Sequence, residues 1–148
     1  MGYALTKKGK QEEFTMLKNT IGNCSYLFSN GVTVVNTTPH PISMQTPEGD
    51  LVSIPSDPSM LVNAKAEEQQ VSNLFVRTAF KGTPDGLNII KEIKSWAEGE
   101  SVSCLVIVGS IIAAQAYPGE VCGLCPVPGF ERVAPSEKRM RCDKFTVY

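Results

Sequence analysis

The fold is decided by the stretch Tyr26-Leu27-Phe28-Ser29-Asn30-Gly31-Val32-Thr33-Val34-Val35, which carries the clearest local structural signal of the chain. Both ends of the stretch are rich in aromatic and β-branched residues, which favour strands. Asn30 and Gly31 separate them, and both residue types tolerate the positive φ angles that a two-residue type I′ turn requires. The sequence therefore predicts a β-hairpin with Asn30-Gly31 as its turn.

Further strands are predicted downstream, wherever apolar and β-prone residues stand between turn signals. Thr46–Asp50 is predicted to be a turn and Glu67–Gln70 a polar connection. Residues 118–136 are rich in Pro and Gly and are predicted to form a long irregular loop. The predicted strands are Ile42–Gln45, Leu51–Ile54, Met60–Ala66, Leu74–Phe80, Val102–Val108 and Lys144–Tyr148.

Helices are predicted at Gln11–Gly22, after Thr83, and after Ser110. The clearest one has Thr83 as its N-cap and Pro84 at its first helical position, and it ends at Gly99. Its apolar face consists of Ile89, Ile90, Ile93, Trp96 and Ala97. Together with the strands, these helices indicate an α+β fold. We expect a compact mixed β-sheet or partly open barrel with the Asn30-Gly31 hairpin and two or three short helices.

Composition limits the function classes that fit this chain. Its 148 residues are typical of one domain, and we expect 1–148 to be a single domain with residues 1–10 as a candidate disordered leader. With 14 basic and 15 acidic side chains it lacks the basic footprint of a general nucleic-acid binder. The N-terminus lacks a secretory apolar core, and no apolar run is long enough for a membrane span. These features predict a cytoplasmic protein.

Five cysteines offer the only metal-binding signal. Cys122-Gly123-Leu124-Cys125 has metal-knuckle spacing, and a four-ligand zinc site would need Cys142 and the single histidine, His40, as well. One such motif is weak, so we expect ordinary reduced thiols, no metal and no cofactor. Cys104 lies within the strand Val102–Val108 and is expected to be buried.

Signals for catalysis are few. His40 is the only histidine that could act as a base, and the chain has neither a GxSxG elbow nor a Walker loop. Two distant carboxylates could still meet in the fold. We therefore assign no catalytic residue and expect a protein that is not an enzyme.

Three features suit an anionic ligand. Pro39 and Pro41 hold Thr38 and His40 in a stiff segment. Gly109-Ser110 precedes a helix, where free N–H groups and a hydroxyl suit a phosphate, although Ser110 could simply cap that helix. The C-terminal arginines could bind an anion through forked donors or could simply face solvent. The candidate ligand-binding residues are Thr38, His40, Ser110, Arg132 and Arg139.

A resemblance to a known family comes from short motifs. Asn36-Thr37-Thr38-Pro39-His40-Pro41-Ile42 resembles the Asn-Leu-Thr-Pro-His-x-Ile motif of a family of small bacteriophage-encoded proteins, with Thr37 in place of Leu. Further similarity is found at Ile54-Pro55-Ser56, Val106-Ile107-Val108-Gly109-Ser110-Ile111-Ile112-Ala113-Ala114 and Pro128-Gly129-Phe130-Glu131-Arg132. The part of the chain up to Asn30 and the predicted helix within residues 81–100 look like additions to the family pattern.

This resemblance implies a phage protein that acts in the cytoplasm of a bacterial host. Small accessory phage proteins often oppose host defence, and several are non-catalytic oligomers that sequester nucleotide immune signals. The first hypothesis is therefore sequestration of a phosphate-bearing nucleotide by a possible homo-oligomer. The alternatives are a hydrolase or nuclease that degrades such a nucleotide, and an interaction protein that inhibits a host defence protein.

Overall fold

The computed structural model describes residues 17–148, which form nine strands and three α-helices. The described part of α1 covers residues 17–23, and the other helices are α2 (Pro84–Gly99) and α3 (Ile111–Ala116). The strands are β1 (Ser25–Leu27), β2 (Val32–Asn36), β3 (Ile42–Gln45), β4 (Leu51–Ile54), β5 (Ala64–Gln70), β6 (Val76–Gly82), β7 (Cys104–Val108), β8 (Gly123–Pro126) and β9 (Met140–Thr146). The α+β class predicted from the sequence is confirmed.

The strands form three sheets, none of which closes into a barrel. The first has the order β1-β2-β7, with β1 antiparallel and β7 parallel to β2. The second has the order β4-β3-β9-β8, in which β3 and β9 are parallel. A single parallel bridge between Val108 and Cys122, next to β8, joins these two sheets. The third sheet contains only β5 and β6.

Two apolar clusters lie on opposite faces of the first sheet because side chains alternate along its strands. On one face Val35 and Ile107 pack with Ile90 and Ile93 of α2 and with the alanines of α3. On the other face Val34 and Val108 pack with residues of the second sheet, among them Met44, Ile54 and Cys142. The first sheet therefore lies between the helices and the second sheet, which explains the continuous apolar run in β7.

The hairpin is confirmed, but its predicted two-residue turn is wrong. Leu27 pairs with Thr33, the Phe28 N–H donates to the Val32 carbonyl at 2.9 Å, and the Gly31 N–H donates to the Phe28 carbonyl at 3.0 Å. Ser29, Asn30 and Gly31 thus form a three-residue loop, in which Gly31 alone has a positive φ, of 88°. The Asn30 side chain holds this loop against β9, because its Nδ2 donates to the Cys142 carbonyl at 3.1 Å.

Several predicted boundaries are confirmed and others are wrong. β3, β4, α2 and α3 lie where the sequence predicted them. The expected strands Met60–Ala66 and Leu74–Phe80 are displaced to β5 and β6, and the predicted polar connection Glu67–Gln70 belongs to β5. Residues 118–136 contain β8, and the last strand begins at Met140 rather than at Lys144. Cys104 is exposed rather than buried, because the start of β7 pairs only with β2.

The N-terminal predictions are covered only in part. The candidate leader, residues 1–10, lies outside the described residues, as does the first half of the predicted helix Gln11–Gly22. The described remainder of that helix, residues 17–23, is helical, and Ile21 on it is buried against α2. Within residues 17–148, no helix has the length and apolar character needed to span a membrane.

Candidate functional site

The motif that begins at Asn36 is folded around the Asn36 side chain, which is completely buried. Its Nδ2 donates to the carbonyls of His40 at 3.0 Å, Ile54 at 3.2 Å and Pro55 at 3.1 Å. Its Oδ1 accepts from the N–H of Thr38 at 2.9 Å and from the Thr38 hydroxyl at 2.6 Å. The buried amide is therefore fully used inside the protein, and it ties the end of β2 to the segments on either side of the β3–β4 hairpin.

Thr37 fixes the same region to β7. Its N–H and its hydroxyl both donate to the Val108 carbonyl, at 3.0 and 2.7 Å. Since β2 and β7 are parallel and pair as far as Asn36 and Val108, the loops that follow them leave the same edge of the first sheet. Thr38, His40 and Ser110 consequently lie in neighbouring loops.

Ser110 is engaged in capping α3. Its Oγ accepts from the Ala113 N–H at 3.1 Å, in the geometry of an N-cap. α3 has only six residues, so its dipole is small. The capping interpretation of Ser110, which the sequence left open, accounts for the side chain.

The two candidate arginines lie on other elements. Arg132 is exposed in the segment after β8. Arg139 directly precedes β9, with its guanidinium 5.1 Å from the centre of the Phe130 ring and its Nη1 3.4 Å from Gln45 Oε1. Among residues 17–148, no hydrogen bond or ion pair joins either arginine to Thr38, His40 or Ser110.

A cavity of about 400 Å³ lies next to the Asn30 turn, a volume that suits a small molecule. Its charged groups, Arg141 and Asp143, form a two-point ion pair with distances of 2.8 and 3.0 Å. The hydrogen bonds from Arg141 hold the pKa of the Asp143 carboxyl below its usual range. None of the five candidate residues lines this cavity, whose wall consists of Asn30, Gln45, Thr46, Pro47, Val127, Pro128, Arg141, Cys142 and Asp143.

The third sheet projects as a two-stranded arm, and we call residues 64–82 the β-arm. From Lys65 to Thr78 every residue is exposed, so both faces of this sheet contact solvent. The tip is apolar: Leu74 is 86% and Phe75 is 67% exposed, and their neighbours Val71 and Val76 are also exposed. The β-arm is therefore a large unpartnered feature of the described chain.

The root of the β-arm is held by Tyr117, which is only 3% exposed. Its hydroxyl accepts from the Thr83 N–H and donates to the Asn63 carbonyl, each at 2.7 Å. α3 packs against both strands of the arm near this point. Gly82 makes the approach possible, because a Cβ atom there would lie 2.7 Å from the Tyr117 ring. One buried side chain thus fixes both ends of the arm to the body.

Comparison of the chain with protein-family models, with curated proteins and with solved structures finds no match. The resemblance to the phage family stays a prediction.

Sequence reasoning missed the β-arm and the role of Tyr117. Part of the signal for the arm was present, because Leu74-Phe75-Val76 is an apolar triplet that follows the turn-forming pair Ser72-Asn73. Tyr117 precedes Pro118 and suggested only the end of a helix. For metals, the described residues hold no group of three or more His, Cys, Asp or Glu side chains that could bind an ion.

Proposed function

We propose that this protein is a non-catalytic interaction protein that binds another protein through the β-arm. The observation that carries the proposal is an arm with two unpaired strand edges, two exposed faces and an apolar tip on a fixed root. Unpaired edges supply a row of free N–H and C=O groups that can bind a further strand.

The low intrinsic stability of the arm supports the same proposal. A two-stranded hairpin has little stability of its own in water, and exposed Leu74 and Phe75 add an unfavourable apolar surface. Binding a partner would pair an open edge and cover this tip in one step. The rigid root lowers the entropic cost of binding, because the base of the arm is already ordered.

The biological setting of this proposal comes from the sequence. The resemblance to small phage proteins favours action in the cytoplasm of a bacterial host, with a host defence protein as the target. The arm supplies the surface that inhibition of such a protein needs.

Site-specific crosslinking tests the proposal. A photoreactive residue at Leu74 should yield protein adducts in bacterial cells, whereas the same residue at Leu51, which is also exposed but lies on β4, should not. Equal adduct formation at both positions, or none at Leu74, would contradict a specific role of the arm.

A second candidate function is sequestration of a nucleotide in the cavity beside Arg141. The cavity volume and the single guanidinium favour it, although an anion would have to compete with Asp143. Incubation with nucleotide signals followed by heat release tests it: intact recovery supports sequestration, and an altered product indicates a hydrolase. Arg141→Ala should abolish retention, and Arg132→Ala, on a side chain outside the cavity, serves as the control.

A further inference from the structure

We propose that the β-arm binds a second copy of this chain, with the two β5 strands paired antiparallel about a two-fold axis at Ala66. This inference rests on the proposed function of the arm as a docking element, but it takes a second copy of this chain, and not a host defence protein, as the partner that covers the tip. A closed dimer of this kind uses the same surface on both copies.

Charge selects the β5 edge. About a two-fold axis at Ala66, Lys65 of each copy lies opposite Glu67 of the other, so the interface contains two identical ion pairs between lysine and glutamate. β6 offers no such pairing, because its charged residues, Arg77 and Lys81, are both basic. A β6–β6 pairing centred on Ala79 would set Arg77 against Lys81.

The arm itself contains a charge conflict that this pairing resolves. Lys65 lies directly opposite Lys81 in the register of β5 and β6, and like charges in facing positions are destabilising. Both side chains lie on the same face of the arm as Glu67. Glu67 from the second copy, on the open side of β5, would neutralise Lys65.

The apolar tip fits the same arrangement. At a rise of about 3.3 Å per residue, the tip of the arm lies roughly 20 Å from Ala66 along the strand. The root of the second copy lies in the same direction, but only roughly 10 Å from Ala66. Each tip would therefore extend past the root of the other copy and reach its body.

The body near the root carries matching apolar side chains. Leu87, in the first turn of α2 after the arm, is 47% exposed, and Ile111 and Ile112, on the helix that packs against the arm, are 64% and 45% exposed. A single chain thus presents both an apolar tip and exposed apolar side chains on the two helices next to its own root. If the tip of each copy packs on the helices beside the root of the other, the apolar side chains of both regions are covered in both copies.

Sedimentation of the full chain over a concentration series tests the proposal. The protein should be a dimer, and Leu74→Ser with Phe75→Ser should raise its dissociation constant at least about tenfold, the factor that corresponds to 1.4 kcal/mol. Leu51→Ser with Val147→Ser removes exposed apolar side chains outside the arm and should leave the dimer unchanged.

Charge exchange tests the register. Lys65→Glu and Glu67→Lys should each weaken the dimer, and the double variant K65E/E67K should restore it, because both ion pairs re-form with opposite polarity. Single and double variants of equal affinity would overturn the Ala66 register.

The outcomes separate this inference from the proposed function. A chain that is monomeric at every concentration, but still forms adducts with host proteins from position 74, overturns the dimer and leaves the arm as a docking element. A dimer that is insensitive to the tip variant overturns arm exchange. A monomer without adducts at position 74 overturns both.

Discussion

The hydroxyl of Tyr117 holds two separate segments of the chain together. It joins the chain before β5 to the chain after β6, and the Tyr117 side chain, at the C-terminal end of α3, is buried. We predict that Tyr117→Phe lowers the free energy of unfolding by about 1–3 kcal/mol, since the Thr83 N–H loses its partner in a half-buried position. In this variant the amide hydrogens of the β-arm should exchange faster than in the unmodified protein, and this increase should be larger than any increase in β7.

The matched control for this variant is Tyr148→Phe, which removes a hydroxyl from a half-exposed side chain at the end of the chain. It should leave both the melting temperature and arm exchange unchanged. Equal effects of the two variants would show that the root contact contributes nothing.

Gly31 and Gly22 allow a clean test of backbone conformation at the residue scale. A methyl group at either position would meet nothing within 4 Å, but Gly31 has a φ of 88° and Gly22 lies in α1. We predict that Gly31→Ala destabilises by about 1–2 kcal/mol, whereas Gly22→Ala stabilises by about 0.5–1 kcal/mol. Chemical denaturation of both variants measures the difference. Destabilisation by both would contradict the conformational explanation.

The role of a single residue could be predicted where its contacts are close in sequence, and could not where they are distant. Thr83 was predicted as a cap, and capping was one of two interpretations of Ser110, because capping depends on the next three residues. Asn36 drew notice only as the start of a motif, since its three acceptors include carbonyls about eighteen residues away. Arg132 and Arg139 were grouped by sequence distance, which does not determine whether side chains share a cavity.

Among the elements, α2 was predicted accurately because its signals are all local. Thr83 Oγ1 accepts from the Gly86 N–H at 3.1 Å, and Pro84 begins the first turn. We predict that Thr83→Ala lowers the free energy of unfolding by about 1 kcal/mol. Ser95→Ala, at an exposed position in the middle of the same helix, should be neutral or slightly stabilising. Thermal denaturation measures both, and a neutral Thr83→Ala would contradict the role of the cap.

The strands of the β-arm were displaced in the prediction because they lack the pattern that reveals most strands. Alternation of apolar and polar residues arises when one face of a sheet is buried. Both faces of β5 are exposed, so its sequence Lys65-Ala66-Glu67-Glu68-Gln69-Gln70 shows no such alternation and suggested a connection. An element without a buried face can be predicted only when its partner is known.

For the whole molecule, the order of strands could not be obtained from the sequence. β2 pairs with β7 and β3 with β9, across separations of 72 and 96 residues, and both pairings are parallel. Such pairings are set by packing of the two apolar clusters, not by any turn between neighbouring strands. The fold class was accessible from local patterns, whereas the three-layer arrangement required the structure.

The reactivity of each cysteine thiol depends on how deeply the layered fold buries it. Burial raises the pKa of the thiols of Cys24, Cys122 and Cys142, which keeps them protonated and poorly nucleophilic. Cys104 is exposed. We predict that iodoacetamide at mildly alkaline pH modifies Cys104 first and Cys24 and Cys142 last, as measured by peptide mass spectrometry. All five should react alike in denaturant, and early modification of Cys24 in the folded protein would contradict the layered core.

The contact between Tyr117, Asn63 and Thr83 has a consequence for protein engineering. Because the Tyr117 side chain holds the chain at both ends of the β-arm, the length of the exposed segment 65–78 between these ends should have little effect on the core. Loop-closure entropy changes only slowly with length, so a foreign peptide could replace this exposed segment at small cost. The body would then serve as a display scaffold, and exchange of this one segment would give the same fold a new target.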